Sequence, residues 1–127
     1  MMLNWIYQKK QTDCGVAAVA MLCDATYEKA KRAIFGDGRV GITSSGELLD
    51  AIRFFGGRPL TKRCIAIGET ELPDLDNHAL LKGKLLCGDA EPVHWAVWDC
   101  QAQAVRDPYG YIYPFLITHF VEIAWDE

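Results

Sequence analysis

Cys14 heads a run of small apolar residues, Gly15-Val16-Ala17-Ala18-Val19-Ala20-Met21-Leu22, and follows Asp13. Gly15 has low helix propensity and a permissive backbone, so a helix is expected to begin about there. A thiol at a helix N-terminus meets unpaired N–H groups and the positive end of the macrodipole, both of which favour thiolate. Such a site lowers the ordinary cysteine pKa of ~8.5 by one to several units. The stretch reads as the nucleophile segment of a cysteine hydrolase. On these residues alone a buried structural cysteine is an equal alternative.

The second stretch with chemical potential runs from His94 through Trp95, Trp98 and a polar turn to Asp107-Pro108-Tyr109-Gly110. Two strand-like runs flank that turn. If the hairpin is symmetric about Cys100 and Gln101, His94 and Asp107 fall directly opposite each other, on one face, with Cβ atoms ~5 Å apart. A carboxylate there holds one imidazole nitrogen while the other faces a thiolate, fixing tautomer and ring orientation. A one-residue slip removes the pairing. A histidine opening a strand is also commonly structural, and Asp-Pro is a common turn opener. His78 and His119 have no comparable partner in sequence and read as structural. Trp95 and Trp98 point to opposite faces, one to the core and the other toward a cleft.

These side chains need a folded frame, and 127 residues, half of them hydrophobic and about a quarter charged, make one domain with a sizeable core. The formal charge of −4 argues against a nucleic-acid partner or an anionic membrane surface. The nearest basic cluster, Lys29, Lys31 and Arg32, is too small to reverse this. No apolar run approaches the ~18 residues of a membrane span. The opening Met1-Met2-Leu3-Asn4-Trp5 lacks the parts of a signal peptide, so a cytoplasmic location is expected. Cys14, Cys23, Cys64, Cys87 and Cys100 are odd in number, with no Cys-x-x-Cys pair, as suits reduced thiols. A zinc site drawn from Cys87, His94 and Cys100 matches no common spacing.

Periodicity and punctuation place a first helix at about residues 15–23 and a second at about Tyr27–Phe35, ending at Gly36. Thr43-Ser44-Ser45 offers N-caps for a third, in which Leu48, Leu49, Ile52 and Phe55 recur at helical spacing until Gly56-Gly57 stops it. Strands are then expected at about residues 60–67, 85–87, 93–99, 104–107 and 119–125. Helices first and sheet afterwards is the α+β pattern, in contrast to alternating βαβ units.

Together these features resemble the papain-like cysteine peptidases, most closely the bacteriocin-processing (double-glycine leader) peptidases, whose domains are usually fused to ABC exporters. The likeness rests on Gln8, then Asp13-Cys14-Gly15 with its small-residue helix, His94 opening an apolar strand, and Asp107-Pro108 with Gly110. It spans roughly residues 5–22 and 93–110. It implies a papain-like fold, with N-terminal helices packed on a C-terminal antiparallel sheet. It further implies Cys14 as nucleophile, His94 as general base and acid, Asp107 as the group orienting His94, and Gln8 as side-chain oxyanion donor beside the Cys14 N–H. Gln8 has the family's offset from the cysteine; Gln11, closer to Cys14, is the competing donor. Residues 24–90 match nothing in the family, so its leader-peptide pockets do not carry over. No transporter is expected to follow, which counts against the double-glycine substrate more than against the fold or the chemistry. A partner protein or transporter stays open.

The expected function is hydrolysis of an amide in a peptide or protein substrate, with no metal or organic cofactor required. With Cys14 this near the start no inhibitory propeptide is expected, so narrow specificity such as limited or leader-peptide cleavage is. Delivery into another cell as an effector or toxin is an equally good restraint. Two rivals remain open. The same geometry supports glutamine deamidation or acyl transfer, and a non-catalytic peptide-binding domain could share the fold.

Overall fold

A computed structural model describes residues 3–8, 13–36, 41, 43–86, 93–110 and 114–125. Among them, three helices come first: α1 (Cys14–Leu22), α2 (Tyr27–Phe35) and α3 (Ser45–Phe54). The strands follow: β1 (Gly57–Pro59), β2 (Ile65–Ala66), β3 (Ala79–Leu85), β4 (His94–Asp99), β5 (Ala104–Arg106) and β6 (Phe115–Trp125), with a 3-10 turn at Leu72–Asp74. All pairings are antiparallel, in the order β1-β6-β3-β4-β5, and β2 also pairs with β6. The chain is therefore α+β, as its element order predicts. No helix among the described residues is long and apolar enough to cross a membrane.

Local signals account for the helix ends. The Thr26 side chain accepts from the Lys29 N–H at the start of α2, and Gly36 closes that helix at φ +64°. Ser44 and Glu47 form a reciprocal capping box at the start of α3. Helix α1 differs, because all nine of its residues are buried. A helix apolar on every side has no solvent face and must be enclosed. It packs on β4 and β3 and is covered by α2 and α3. The core on this side joins Val16, Val19 and Met21 to Leu48 and Ile52 of α3 and to Leu80, Trp95, Val97, Val121 and Ile123 of the sheet. A second, smaller cluster on the opposite face holds Ala79, Leu81, Ala96, Trp98 and Phe120, with Leu72 and Leu75 against it.

The strands depart from expectation at three places. Of the strand expected at residues 60–67 only Ile65–Ala66 (β2) forms. β1 precedes it at Gly57–Pro59, both pair with β6, and a bend whose Thr61 hydroxyl donates to the Arg63 carbonyl separates them. The short strand expected at residues 85–87 is the end of a longer one, β3, which starts at Ala79; Cys87 lies outside the described residues. Lys82, Gly83 and Lys84 hide β3 in the sequence, since none has high strand propensity. It is nevertheless the central strand, paired on both sides by β4 and β6. The final strand begins at Phe115, four residues before the expected His119. Trp95 and Trp98 do face opposite ways, and both are buried.

The β3–β6 register shifts between Lys82 and Gly83. A side chain at Gly83 would run into the Leu116 carbonyl of β6 and the Phe115 ring. Gly83→Ala should therefore cost about 1–3 kcal/mol of stability. Gly46, in the first turn of α3, has nothing nearer to an added methyl than the Ser44 hydroxyl at 3.9 Å. Gly46→Ala should stabilise by up to about 1 kcal/mol through helix propensity and a less free unfolded chain. Urea midpoints moving in opposite directions in the two variants would verify the bulge and the helix start together.

Candidate active site

Cys14 is the first residue of α1, and His94 is the first residue of β4, the strand on which α1 packs. Asp13 precedes the helix; its carbonyl accepts from the Ala17 N–H at 3.2 Å, but its side chain does not cap the helix. That carboxylate instead accepts from the Tyr27 hydroxyl at 2.6 Å. Burial, then the hydrogen bond to Asp13 and the charge beside it, push the Tyr27 phenol above its ordinary value, so it stays a donor. Gly15 must remain small, because a side chain there would overlap the Thr43 hydroxyl and press on Leu48. The resemblance contained Asp13 without a role, and its tie to Tyr27 was not legible. Only the packing of α2 on α1 brings the two together.

His94 and Asp107 meet as expected: His94 Nε2 lies 2.7 Å from Asp107 Oδ1. They do so by a different route. The β4–β5 register pairs Val97 with Arg106, Trp98 with Val105 and Asp99 with Ala104, two residues out from the symmetric hairpin. A two-residue offset preserves the face, so the juxtaposition survives. The longer turn uses Gln103 at φ +54°, and β5 ends at Arg106. Asp107 therefore lies just beyond the strand and reaches back to His94.

Asp107 opens a turn that its own backbone closes, with the Gly110 N–H donating to the Asp107 carbonyl at 2.9 Å. Asp first, Pro second and Gly last is the preferred composition of such a turn. The Tyr109 N–H donates to Asp107 Oδ1 at 2.8 Å, so one carboxylate oxygen serves both the turn and the imidazole. Asp107 is thus a turn opener and the histidine's partner at once. Gly83 faces His94 across β3–β4, and the Phe115 ring packs edge-on to the imidazole at 5.1 Å between centroids.

Gln8 is half-buried, and its backbone N–H donates to the Pro108 carbonyl at 3.0 Å. This places it beside the turn that carries Asp107. Gln11 lies outside the described residues. Cys14, His94 and Asp107 are only 1%, 3% and 2% exposed.

The other histidines do not share this geometry. His78 Nδ1 accepts from the Cys100 N–H at 3.0 Å and lies 3.7 Å from Asp99, while His119 Nδ1 contacts the hydroxyl of its neighbour Thr118 at 2.9 Å. The zinc reading loses its basis. His94 and Cys100 lie at opposite ends of β4, roughly 20 Å apart at ~3.3 Å per residue. Among the described residues no three His, Cys, Asp or Glu side chains form a group able to hold a metal. Comparisons with protein-family models, curated proteins and solved structures found no match to this chain.

The thiols away from this site are disfavoured as nucleophiles. Burial pushes Cys23 up to about 12, and also raises Cys64 and Cys100. With a pKa of about 12, about one Cys23 in 10⁵ is thiolate at pH 7, rising tenfold per pH unit to near pH 11. If Cys14 is the nucleophile, iodoacetamide followed by peptide mapping should modify it at least ~10-fold faster than Cys23, Cys64 or Cys100 near neutral pH. Labelling of Cys14 no faster than of Cys23 would mark it as an inert core residue.

Proposed function

We propose that this protein is a cysteine hydrolase of papain-like type that cleaves an amide bond in a peptide or protein. The observation that carries the reading is the buried 2.7 Å contact between His94 Nε2 and Asp107 Oδ1, at the start of the strand on which the Cys14 helix packs. With Nε2–H donating to Asp107, Nδ1 is the nitrogen left to exchange a proton with a thiol. A carboxylate at Nε2 also favours the imidazolium that forms when the thiol ionises.

In the proposed reaction His94 Nδ1 takes the Cys14 proton and the sulfur attacks the substrate carbonyl. The oxyanion develops against the Cys14 N–H and the Gln8 side-chain amide. The protonated His94 then gives its proton to the leaving amine, which departs and leaves a thioester. Water, deprotonated by His94, hydrolyses that thioester and restores the thiol. The chemistry needs only these side chains. The near-complete burial of Cys14 favours the second reading, a peptide-binding domain whose thiol belongs to its core.

Incubation with a peptide library, followed by mass spectrometry, separates the readings. New termini mean hydrolysis, a gain of about 1 Da at glutamine means deamidation, and no change means binding alone.

If hydrolysis occurs, the variants should grade it. Cys14→Ser should abolish turnover and His94→Ala should be nearly as severe. Asp107→Asn should be milder, because an amide oxygen can still accept from Nε2–H. Gln8→Ala should slow turnover by ~10- to 10³-fold while leaving the labelling rate of Cys14 intact, since an oxyanion donor acts on the transition state. Full activity in all four variants would remove these residues from the catalytic machinery and with them the cysteine-hydrolase reading.

A further inference from the structure

Residues 3–8 have no helix or strand of their own, yet they are fastened at several points to the β4–β5 hairpin and the turn beyond it. At one end the Leu3 N–H donates to Asp99 Oδ2 at 2.9 Å. In the middle the Trp5 indole N–H donates to the Asp107 carbonyl at 2.9 Å. At the other end the Gln8 N–H takes the next carbonyl, that of Pro108, at 3.0 Å. Successive carbonyls of the turn that carries Asp107 are thus occupied by one segment, and that segment ends in Gln8.

Packing reinforces the hydrogen bonds. The Trp5 and Tyr7 rings stack at 5.4 Å with their planes 16° apart. The Arg106 guanidinium lies over the Trp5 ring at 5.4 Å and beside Asp99 at 3.5 Å, joining the two anchors through one cation. Gly110 adopts φ +77°, the left-handed region that favours glycine, and Tyr7 packs within ordinary contact distance of it.

Asp99 is fully buried at the end of β4. Burial pushes its carboxyl up, but the N–H groups of Ala102 and Leu3, the nearby His78 and the Gln101 N–H together hold it below the ordinary value. A depressed carboxylate keeps its charge at neutral and mildly acid pH, so this anchor is lost only as the pH falls below the ordinary carboxylate range.

We infer that Trp5 and Asp99 are positioning residues: they clamp residues 3–8 on the hairpin and so set Gln8 relative to the His94–Asp107 pair. The inference rests on the hydrolase reading for its catalytic consequence, but the clamp itself does not. Trp5 acts through Asp107 and Gln8, and touches no reacting atom. An oxyanion donor on a chain segment without secondary structure needs such a restraint, because a misplacement of about 1 Å can cost up to ~10²-fold in rate.

The test is Trp5→Phe, which removes the indole donor and keeps a ring for Tyr7 and Arg106, with Asp99→Asn as a second variant that releases the far end. Amide hydrogen exchange at Gln8, measured by NMR, should accelerate about 5- to 10-fold in both, while the β3 and β4 amides hold their wild-type rates. Turnover on the peptide found for the wild type should fall about 10- to 10²-fold in kcat with KM nearly unchanged. Unchanged Gln8 exchange in the variants that fold overturns the clamp, whatever the turnover. Faster exchange with undiminished kcat overturns the positioning role. Faster exchange in a protein whose wild type cleaves nothing would overturn the hydrolase reading and leave the clamp standing.

Discussion

Helix α1 lies against the sheet across a core of small and aliphatic side chains joined by the Trp95 indole, and the candidate site depends on that contact. Ala17, Ala18 and Ala20 are fully buried and bring little bulk, so the helix axis can approach β4 closely while Val16, Val19 and Met21 fill the space around it. A helix apolar on all sides gains its stability by being enclosed, and α2, α3 and the sheet supply the enclosure. Its N-terminus is consequently fixed relative to the strand that His94 opens. A shift of α1 along β4 would move Cys14 with respect to His94 and break the packing of Leu48 on Gly15.

The acidic groups around this helix have different tasks because their surroundings differ. Asp107 is shared between a turn and an imidazole, so its position is set by backbone geometry before the histidine is considered. Asp99 is held by several backbone N–H groups and works as an anchor for distant chain. Asp13 is tied to a phenol that burial and the carboxylate keep protonated. Each buried carboxylate has donors around it, as the cost of burying an uncompensated charge requires. The hydrolase proposal draws on the first of these; the clamp draws on the second.

What could be read from the chain depended on interaction range. Thr26 and Gly36 delimit α2, and Ser44 with Glu47 starts α3, because capping is settled within three or four residues. The turn at Asp107-Pro108-Tyr109-Gly110 is likewise local chemistry. Pairing His94 with Asp107 was legible for a less secure reason. The symmetric hairpin misjudged the register by two residues, and the even number kept both side chains on one face. An odd error would have separated them.

By itself the sequence determined the helix boundaries to within about a residue, the α+β order and the residue types able to do thiol chemistry. The tertiary structure decided that Lys82, Gly83 and Lys84 belong to a central strand, since pairing on both sides overrides weak strand propensity. It also decided that Leu3 would meet Asp99, that Trp5 would meet Asp107, and that Tyr27 would hold Asp13. These contacts join groups between 14 and 102 residues apart in the chain. No capping rule or periodicity reaches that far. They exist because packing a buried helix against a twisted sheet leaves one place for the chain before it, and that place runs past the turn holding Asp107.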